Sequence, residues 1–217
     1  MADTSKPPQR PVTPKEPTPW YGLPFVALGH LFWIWVLLII VEWASPLWGG
    51  ITGLHAKQVF LQGLASLNTE QPDIAGKLMQ LLKSSMETLA PMLTAHFSGA
   101  LAFFEPYWHG VVYVTLSLFA RVALLLYSWP LFLLACFLGM LDGLIVRQRR
   151  TAFMGRETET RHFYSRKALP WAMIITGYVW LLVPGIWPAS PVWMLLPGVM
   201  LTGVLVRSII ASYKKYL

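Results

Sequence analysis

A run of basic residues between two apolar stretches is the part of this sequence best suited to carry chemistry. Residues 142–168, the basic segment, contain seven cations and three acids. The cations are Arg147, Arg149, Arg150, Arg156, Arg161, Arg166 and Lys167. Guanidinium and ammonium groups bind carboxylates and phosphates, so the segment is suited to an acidic protein face, anionic lipid headgroups or DNA. An excess of Arg and Lys beside apolar spans also marks the cytoplasmic side of a membrane.

Asp142 opens a pattern that overlaps a metal-dependent motif. Asp142-Gly143 followed by Arg147 matches the start of the DGxxAR motif of the CDP-alcohol phosphatidyltransferases, in which two later aspartates bind a divalent metal. At the later glycine and aspartate positions this chain has Arg156, Thr160 and Tyr164. Hard cations need several carboxylate ligands, so the single remaining aspartate does not form that site.

Other catalytic and metal-binding arrangements are not indicated either. The five histidines show no metal-ligand spacing, the single cysteine is Cys136, and no glycine-rich phosphate-binding loop with lysine occurs. We therefore expect no catalytic residue, no metal and no cofactor. The alternative is a small membrane enzyme or transporter that acts on lipid or an ion at Asp142 and the basic segment.

The composition indicates an all-α, multi-pass membrane protein, which we expect in the bacterial inner membrane. The chain has 217 residues, of which 55% are hydrophobic and 12% are charged, whereas an ordinary soluble domain has about 25% charged residues. The net charge is +7, but the cations concentrate at the ends of apolar stretches, where they orient membrane helices. Basicity is therefore weak evidence for DNA contact.

Four transmembrane helices with both termini in the cytoplasm follow from the apolar stretches. Residues 1–19 are predicted to be a disordered, proline-rich cytoplasmic tail. Helices span residues 20–44, 110–141, 169–189 and 190–211, and residues 212–217 are a cytoplasmic end. Residues 45–109 form a periplasmic helical segment, with one helix over 54–67 and an amphipathic one from about Asp73 toward Phe104. The basic segment, 142–168, is a cytoplasmic loop.

Prolines shape four of these expectations. Pro130 is expected to kink the second span, and Pro170 suits the first turn of the third. Pro184, Pro188 and Pro191 indicate a tight turn between the last two spans, and Pro197-Gly198 is expected to break the fourth. Because both spans are short, a hairpin that enters the membrane without crossing it remains an alternative.

Charges at the ends of the spans suggest two structural ion pairs. Glu42 and Arg121 fall at similar depth on the periplasmic side, and Asp142 and Arg207 do so on the cytoplasmic side. A charge in a bilayer is costly, so such groups pair or reach the interface. An ion or proton path is the alternative, but the spans have few polar residues at intermediate depth.

The basic segment resembles the signature of an uncharacterised family of inner-membrane proteins encoded by integrating conjugative elements and some conjugative plasmids. The matching motifs are Asp142-Gly143-Leu144, the arginines 147–150, Gly155-Arg156-Glu157, and Phe163-Tyr164 through Lys167-Ala168. This chain departs from the pattern at Gln148, where an acid is usual, and at Ser165, where histidine is usual.

The resemblance implies a place in a conjugative type IV secretion apparatus, often encoded beside its coupling ATPase. We expect an accessory or scaffold role for the coupling ATPase, with membrane lipids as the other partners. Direct DNA contact is not expected, and a homo-oligomer stays open. The partner- or lipid-binding residues are Asp142, Arg147, Arg149, Arg150, Arg156, Glu157, Arg161, Tyr164, Arg166 and Lys167.

Overall fold

The described part of the chain is all-helical in class, with helices and no strand, as predicted. A computed structural model describes residues 20–93, 97, 99–153, 159–187 and 189–213. Its α-helices are α1 (Leu23–Trp43), α2 (Leu54–Glu70), α3 (Pro72–Leu93), α4 (Glu105–Tyr127), α5 (Trp129–Ala152), α6 (Glu159–Ile186) and α7 (Pro191–Ala211). Short 3-10 helices cover Trp20–Gly22, Ser45–Trp48 and Gly99–Phe104.

Four helical stretches in the described residues are long and apolar enough to cross a membrane. They are Leu23–Trp43, Ala102–Arg150, Thr160–Ile186 and Pro191–Ala211. The expectation of four candidate spans is therefore confirmed for length and composition. The chain is compatible with a multi-pass membrane protein.

Contacts divide the chain into two units, and the boundary falls inside α1. The first unit ends at Trp33, and its described portion, residues 20–33, includes an edge-to-face contact between Phe32 and Trp33. The second unit begins at Ile34 and contains all the packing considered below. The part of α1 in that unit buries Ile34, Leu38 and Glu42 at helical spacing.

Helices α2 and α3 pack along α4 rather than forming a separate body. Helical spacing in α3 brings Ala75, Leu78 and Leu82 to one face, where they are buried with Phe60 and Leu67 of α2. The partners on α4 are Val112, Leu116, Ala120 and Ala123. This core therefore extends along α4 past the position of Arg121. The amphipathic helix ends at Leu93, short of Phe104, and residues 94–96 and 98 lie outside the described residues.

The second predicted span, residues 110–141, is two helices in succession. Helix α4 ends at Tyr127 and α5 begins at Trp129, so the interruption is at Ser128. Pro130 has no amide hydrogen for the helical bond, and the Ser128 hydroxyl donates to the Leu124 carbonyl over 2.7 Å. The break therefore falls two residues before the proline from which the kink was predicted.

The last three helices pack closely through glycine. Gly139 of α5 lies against the backbone of Gly203 in α7, where a Cβ would clash with the Gly203 carbonyl. Gly198 of α7 likewise faces Thr176 of α6, with no room for a larger side chain. Small residues let membrane helices approach closely. The expectation that Pro197-Gly198 breaks the fourth span was wrong, because α7 continues through it and uses the glycine for packing.

The predicted cytoplasmic loop and the turn near Pro184 also differ from the structure. Helix α5 continues to Ala152 and α6 begins at Glu159, so most of the basic segment is helical. Pro170 and Pro184 both lie inside α6, which ends at Ile186. Membrane helices tolerate proline because neighbouring groups satisfy the carbonyls that lose a donor. Pro188 and the proline-rich tail lie outside the described residues.

Candidate functional site

The basic segment consists of two helix ends that meet the end of a third. Arg147, Arg149 and Arg150 lie in the last turns of α5, and Arg161, Arg166 and Lys167 lie in the first turns of α6. Arg156 and Glu157, with Gly155, fall in residues 154–158, outside the described residues. The helices fix these cations relative to one another, which a loop would not do.

Four residues of the basic segment hold the C-terminal end of α7. Arg150 Nη2 donates to the carbonyl of Tyr213 over 3.0 Å, and Arg161 Nη2 donates to Ser208 Oγ over 3.2 Å. His162 Nδ1 lies 3.1 Å from the Ile209 carbonyl. The last carbonyls of a helix lack intrahelical donors and carry partial negative charge, so cationic and N–H donors stabilise them.

The ring of Tyr213 completes this cap. The Arg147 guanidinium lies over the ring, 5.4 Å from its centroid, and the His162 ring meets it edge to face at 5.8 Å. We call Arg147, Arg150, Arg161 and His162 the α7 cap. These four side chains are thus engaged within the chain and are less available to a partner.

Asp142 and Gly143 both serve the packing of α5 on α7. Asp142 Oδ2 lies 2.7 Å from Arg207 Nε, the pair that the sequence indicated, and both side chains are about half exposed. A Cβ at Gly143 would stand 2.9 Å from the Arg207 carbonyl and 2.9 Å from Ile210 Cβ. The Asp-Gly-Leu motif therefore has a structural explanation that requires no metal.

Three cations and three aromatic rings stay on the outside of the basic segment. Arg149, Arg166 and Lys167 are exposed and have no hydrogen-bond or ion-pair partner among the described residues. Phe153 is 83% exposed, and Phe163 and Tyr164 are also exposed. The residues best placed to meet a partner are therefore fewer than the ten predicted.

The predicted pair of Glu42 with Arg121 does not form. Both side chains are buried, at 2% and 6% exposure, but each is satisfied by other groups, described below. The physical reason is that each charge lies closer to a helix end than to the opposite charge. Orphan backbone groups at helix termini compete well for a buried ion.

Glu42 caps the N-terminus of α2. Its carboxylate accepts hydrogen bonds from the backbone N–H of Gly53 at 2.9 Å and of Ala56 at 3.1 Å, and lies 2.8 Å from His55 Nδ1. Gly53 has φ +81°, and a Cβ there would clash with the Pro106 carbonyl at 2.5 Å. Only glycine allows this turn and the close approach of α4.

Arg121 caps the C-terminal end of α6, at the opposite end of α6 from the residues that contact α7 in the α7 cap. Its Nη1 donates to the Leu181 carbonyl over 3.0 Å and its Nη2 to the Pro184 carbonyl over 3.1 Å, with Ser117 Oγ as a further acceptor. Residue 188 is proline and has no amide hydrogen, so the Pro184 carbonyl has no helical donor four residues on. The Trp180 indole N–H donates to the Arg121 carbonyl over 2.9 Å. Arg121 thus joins α4 to α6.

A family model matches residues 65–214, which is more than half of the chain. The family is described as IncC plasmid conjugative DNA transfer protein DtrJ-like. The chain belongs to the DtrJ-like family. It is therefore a member of a conjugative DNA transfer family, which agrees with the conjugation context that the basic segment implied. No significant similarity to a curated protein or to a solved structure was found.

The part matched to the DtrJ-like family contains the α7 cap, Arg121 and the Asp142–Arg207 pair, and it begins within α2. Glu42 and its contacts with Gly53 and His55 precede the matched residues. The sequence analysis missed the roles of His162, Ser208 and Tyr213. The available signal was their position at the end of an apolar span beside a cationic segment.

Metal binding finds no support in the geometry of this DtrJ-like chain. Among residues 20–93, 97, 99–153, 159–187 and 189–213, no three His, Cys, Asp or Glu side chains converge as metal ligands. His55 is turned to Glu42, and His109 lies 3.7 Å from Glu105. The described carboxylates near the basic segment are likewise used, since Asp142 pairs with Arg207.

Proposed function

We propose that this chain is a non-enzymatic, multi-pass inner-membrane component of a conjugative type IV secretion apparatus, and that it is an accessory or scaffold for the coupling ATPase. The membership in a conjugative DNA transfer family supports the process. The four candidate spans support the membrane setting. The partner and the scaffold role rest on the geometry of the basic segment.

Two levels of charge indicate where the bilayer lies. Arg121 marks one level, where it meets the end of α6, and the Asp142–Arg207 pair marks the other. Residues 122–141 between them carry no charge and correspond to about 30 Å of helix, the thickness of a hydrocarbon core. The excess of cations beyond Asp142 makes that end cytoplasmic, so both termini are cytoplasmic and residues 45–109 periplasmic.

The end of α5 extends beyond this slab into water. Phe153 lies eleven residues past Asp142, which is about 16 Å of helix, whereas the headgroup layer adds only about 5–8 Å on each side. Arg149 is one turn earlier on the same face of α5. We call Arg149 and Phe153 the α5 tip.

An exposed ring beside an unpartnered arginine, held clear of the lipid, carries the proposal of a protein partner. Phe153 is 83% exposed, and at this depth lipid does not explain the exposure. Arg and aromatic residues are the side chains that most often dominate protein interfaces. An acidic face with an apolar pocket on the coupling ATPase fits the α5 tip.

Replacing both members of the α5 tip tests the proposal. We expect Arg149→Gln/Phe153→Ala to reduce DNA transfer and co-purification with the coupling ATPase at least about tenfold, as loss of an interface hot spot does. Membrane insertion should remain normal, because neither side chain contacts the α7 cap. The matched control is Lys77→Gln/Met79→Ala on α3, which removes one exposed cation and one exposed apolar side chain on the periplasmic side.

Normal transfer by the α5 tip variant would refute the docking role. A small membrane enzyme or transporter is the competing function. It requires that Asp142→Asn abolish an activity measurable with purified protein alone, without any partner. The scaffold proposal expects no such activity, and expects Asp142→Asn to act only through the packing of α5 on α7.

A further inference from the structure

Lys167 lies at a different depth from the α5 tip, although both belong to the basic segment. Arg161 contacts Ser208 near the end of α7, and Thr176, farther along α6, faces Gly198 near the start of α7, so α6 runs antiparallel to α7. Continuing that register places Lys167 about one helical turn, roughly 5 Å, inside the level of Arg207. The α5 tip lies on the opposite side of that level. This inference rests on the spanning arrangement proposed above and does not depend on the ATPase.

Three aromatic rings surround Lys167 on the surface of α6. Phe163 and Tyr164 lie one turn before it, and Trp171 lies one turn after it, at the spacing of side-chain neighbours on a helix. The three rings are 60%, 64% and 59% exposed. We call Phe163, Tyr164, Lys167 and Trp171 the outer α6 face, with Arg166 at its edge.

The opposite side of α6 is the one that packs. Ser165, Ala172 and Thr176 are buried at helical spacing, and His162 contacts the Ile209 carbonyl of α7. The outer α6 face is therefore turned away from α5 and α7. At the depth of the boundary, a face turned away from the bundle meets lipid.

We propose that the outer α6 face, together with Arg166, binds the headgroup of an anionic phospholipid of the cytoplasmic leaflet. Arg166 and Lys167 have no hydrogen-bond or ion-pair partner among the described residues and no acid beside them there. A lysine whose Cα lies inside the hydrocarbon extends its side chain toward the phosphates, because a charge inside the hydrocarbon is costly. The rings of Phe163 and Tyr164 lie near the level of Arg207, at the headgroups and glycerol where Tyr is favoured, and Trp171 lies about two turns deeper against the acyl chains.

Charge and depth favour lipid over an acidic segment of another protein. The acidic protein face proposed above requires cations in water, such as Arg149, about 10 Å beyond Asp142. An acidic protein segment would have to pass through the lipid to reach Lys167. Phosphate groups accept strong hydrogen bonds from Arg and Lys, and the cytoplasmic leaflet supplies phosphates at the depth that the Arg166 and Lys167 side chains reach.

Lipid titration of the full-length protein in mild detergent tests the site. The probes are phosphatidylglycerol and phosphatidylcholine, and the readout is the apparent dissociation constant. We expect phosphatidylglycerol to bind tighter than phosphatidylcholine, and Arg166→Gln/Lys167→Gln to weaken its binding about 25-fold, since each surface cation contributes about fivefold. The matched control is Arg149→Gln/Lys77→Gln, which removes the same charge elsewhere and should leave the affinity unchanged.

Equal loss in the control variant would overturn the site, because it would show a dependence on net charge only. Equal affinity for the two lipids would also overturn it. A benzophenone side chain in place of Tyr164 identifies the occupant in native membranes, with a lipid-mass adduct expected and a protein adduct contradicting the proposal. Failure of the ATPase proposal appears as normal DNA transfer by the α5 tip variant and leaves these lipid measurements unaffected.

Discussion

Removing the Glu42 carboxylate should open α2 locally while the rest of the protein stays folded. In Glu42→Ala, the N–H groups of Gly53 and Ala56 lose their acceptor, and His55 loses its partner. A buried donor left without an acceptor costs about 1–3 kcal/mol, and loss of a helix N-cap costs about 0.5–2 kcal/mol. Two orphaned donors in a site where Glu42 is 2% exposed therefore amount to about 3 kcal/mol.

Hydrogen exchange measures this cost where it arises. A destabilisation of about 3 kcal/mol corresponds to about a hundredfold faster exchange of the α2 amides, if they exchange by local opening. The amides of α7 are the internal reference, because α7 does not contact Glu42. The matched control is Glu70→Gln at the other end of α2, an exposed carboxylate whose bond from Ser190 is 2.7 Å long, which should change exchange less than about threefold.

His55 separates the two components of the effect. In Glu42→Gln, one amide oxygen still accepts from the backbone, so the loss should be smaller than in Glu42→Ala. His55→Ala removes only the side-chain contact and should cost less still. Unchanged exchange of α2 in Glu42→Ala would refute the capping role and would require another group to hold the N-terminus of α2.

Three further outcomes follow from the packing of the last four helices. Gly139→Ala should destabilise the α5–α7 contact by about 1–3 kcal/mol in detergent unfolding, whereas Gly177→Ala, which has open space around it, should be neutral or slightly stabilising. Arg121→Met should speed proteolysis at the C-terminal end of α6, because the Leu181 and Pro184 carbonyls lose charged donors worth about 1.5–3 kcal/mol each. Arg121→Lys keeps the charge but not the two-nitrogen geometry, so it should recover only part of the resistance to proteolysis. Arg150→Gln should raise hydrogen exchange at the end of α7 by less than about tenfold, because only one exposed cap bond is lost.

The helices were predictable from the sequence because apolar length and periodicity determine them. All four stretches with apolar runs proved long enough to cross a membrane, and the amphipathic pattern from Asp73 gave α3 with Leu78 and Leu82 buried. The ends of the helices were less predictable. Proline rules from soluble proteins predicted a helix start at Pro170 and a break at Pro197, but packing against neighbouring helices kept α6 and α7 continuous.

The charged residues were assigned only some of the right partners from the sequence. Asp142 and Arg207 meet, because parallel α5 and α7 approach closely at Gly139 and Gly143. Glu42 and Arg121 do not meet, because each is nearer to a helix end than to the other. Depth follows from hydrophobicity along the chain, whereas partner choice depends on where helix termini lie in three dimensions, and a single sequence does not encode that simply.

The cations of the basic segment have three separate tasks, which the composition alone presents as one. Arg147, Arg150 and Arg161 satisfy the end of α7, so their loss should act on stability whatever the partner is. Under the proposals above, Arg149 extends into water beside Phe153 to meet a protein, and Lys167 meets lipid headgroups among aromatic rings. A variant that replaces all of them at once would lose folding, protein contact and lipid contact together. Only substitutions chosen by depth and by partner can distinguish a scaffold for the transfer machinery from a helix bundle whose positive charge serves topology.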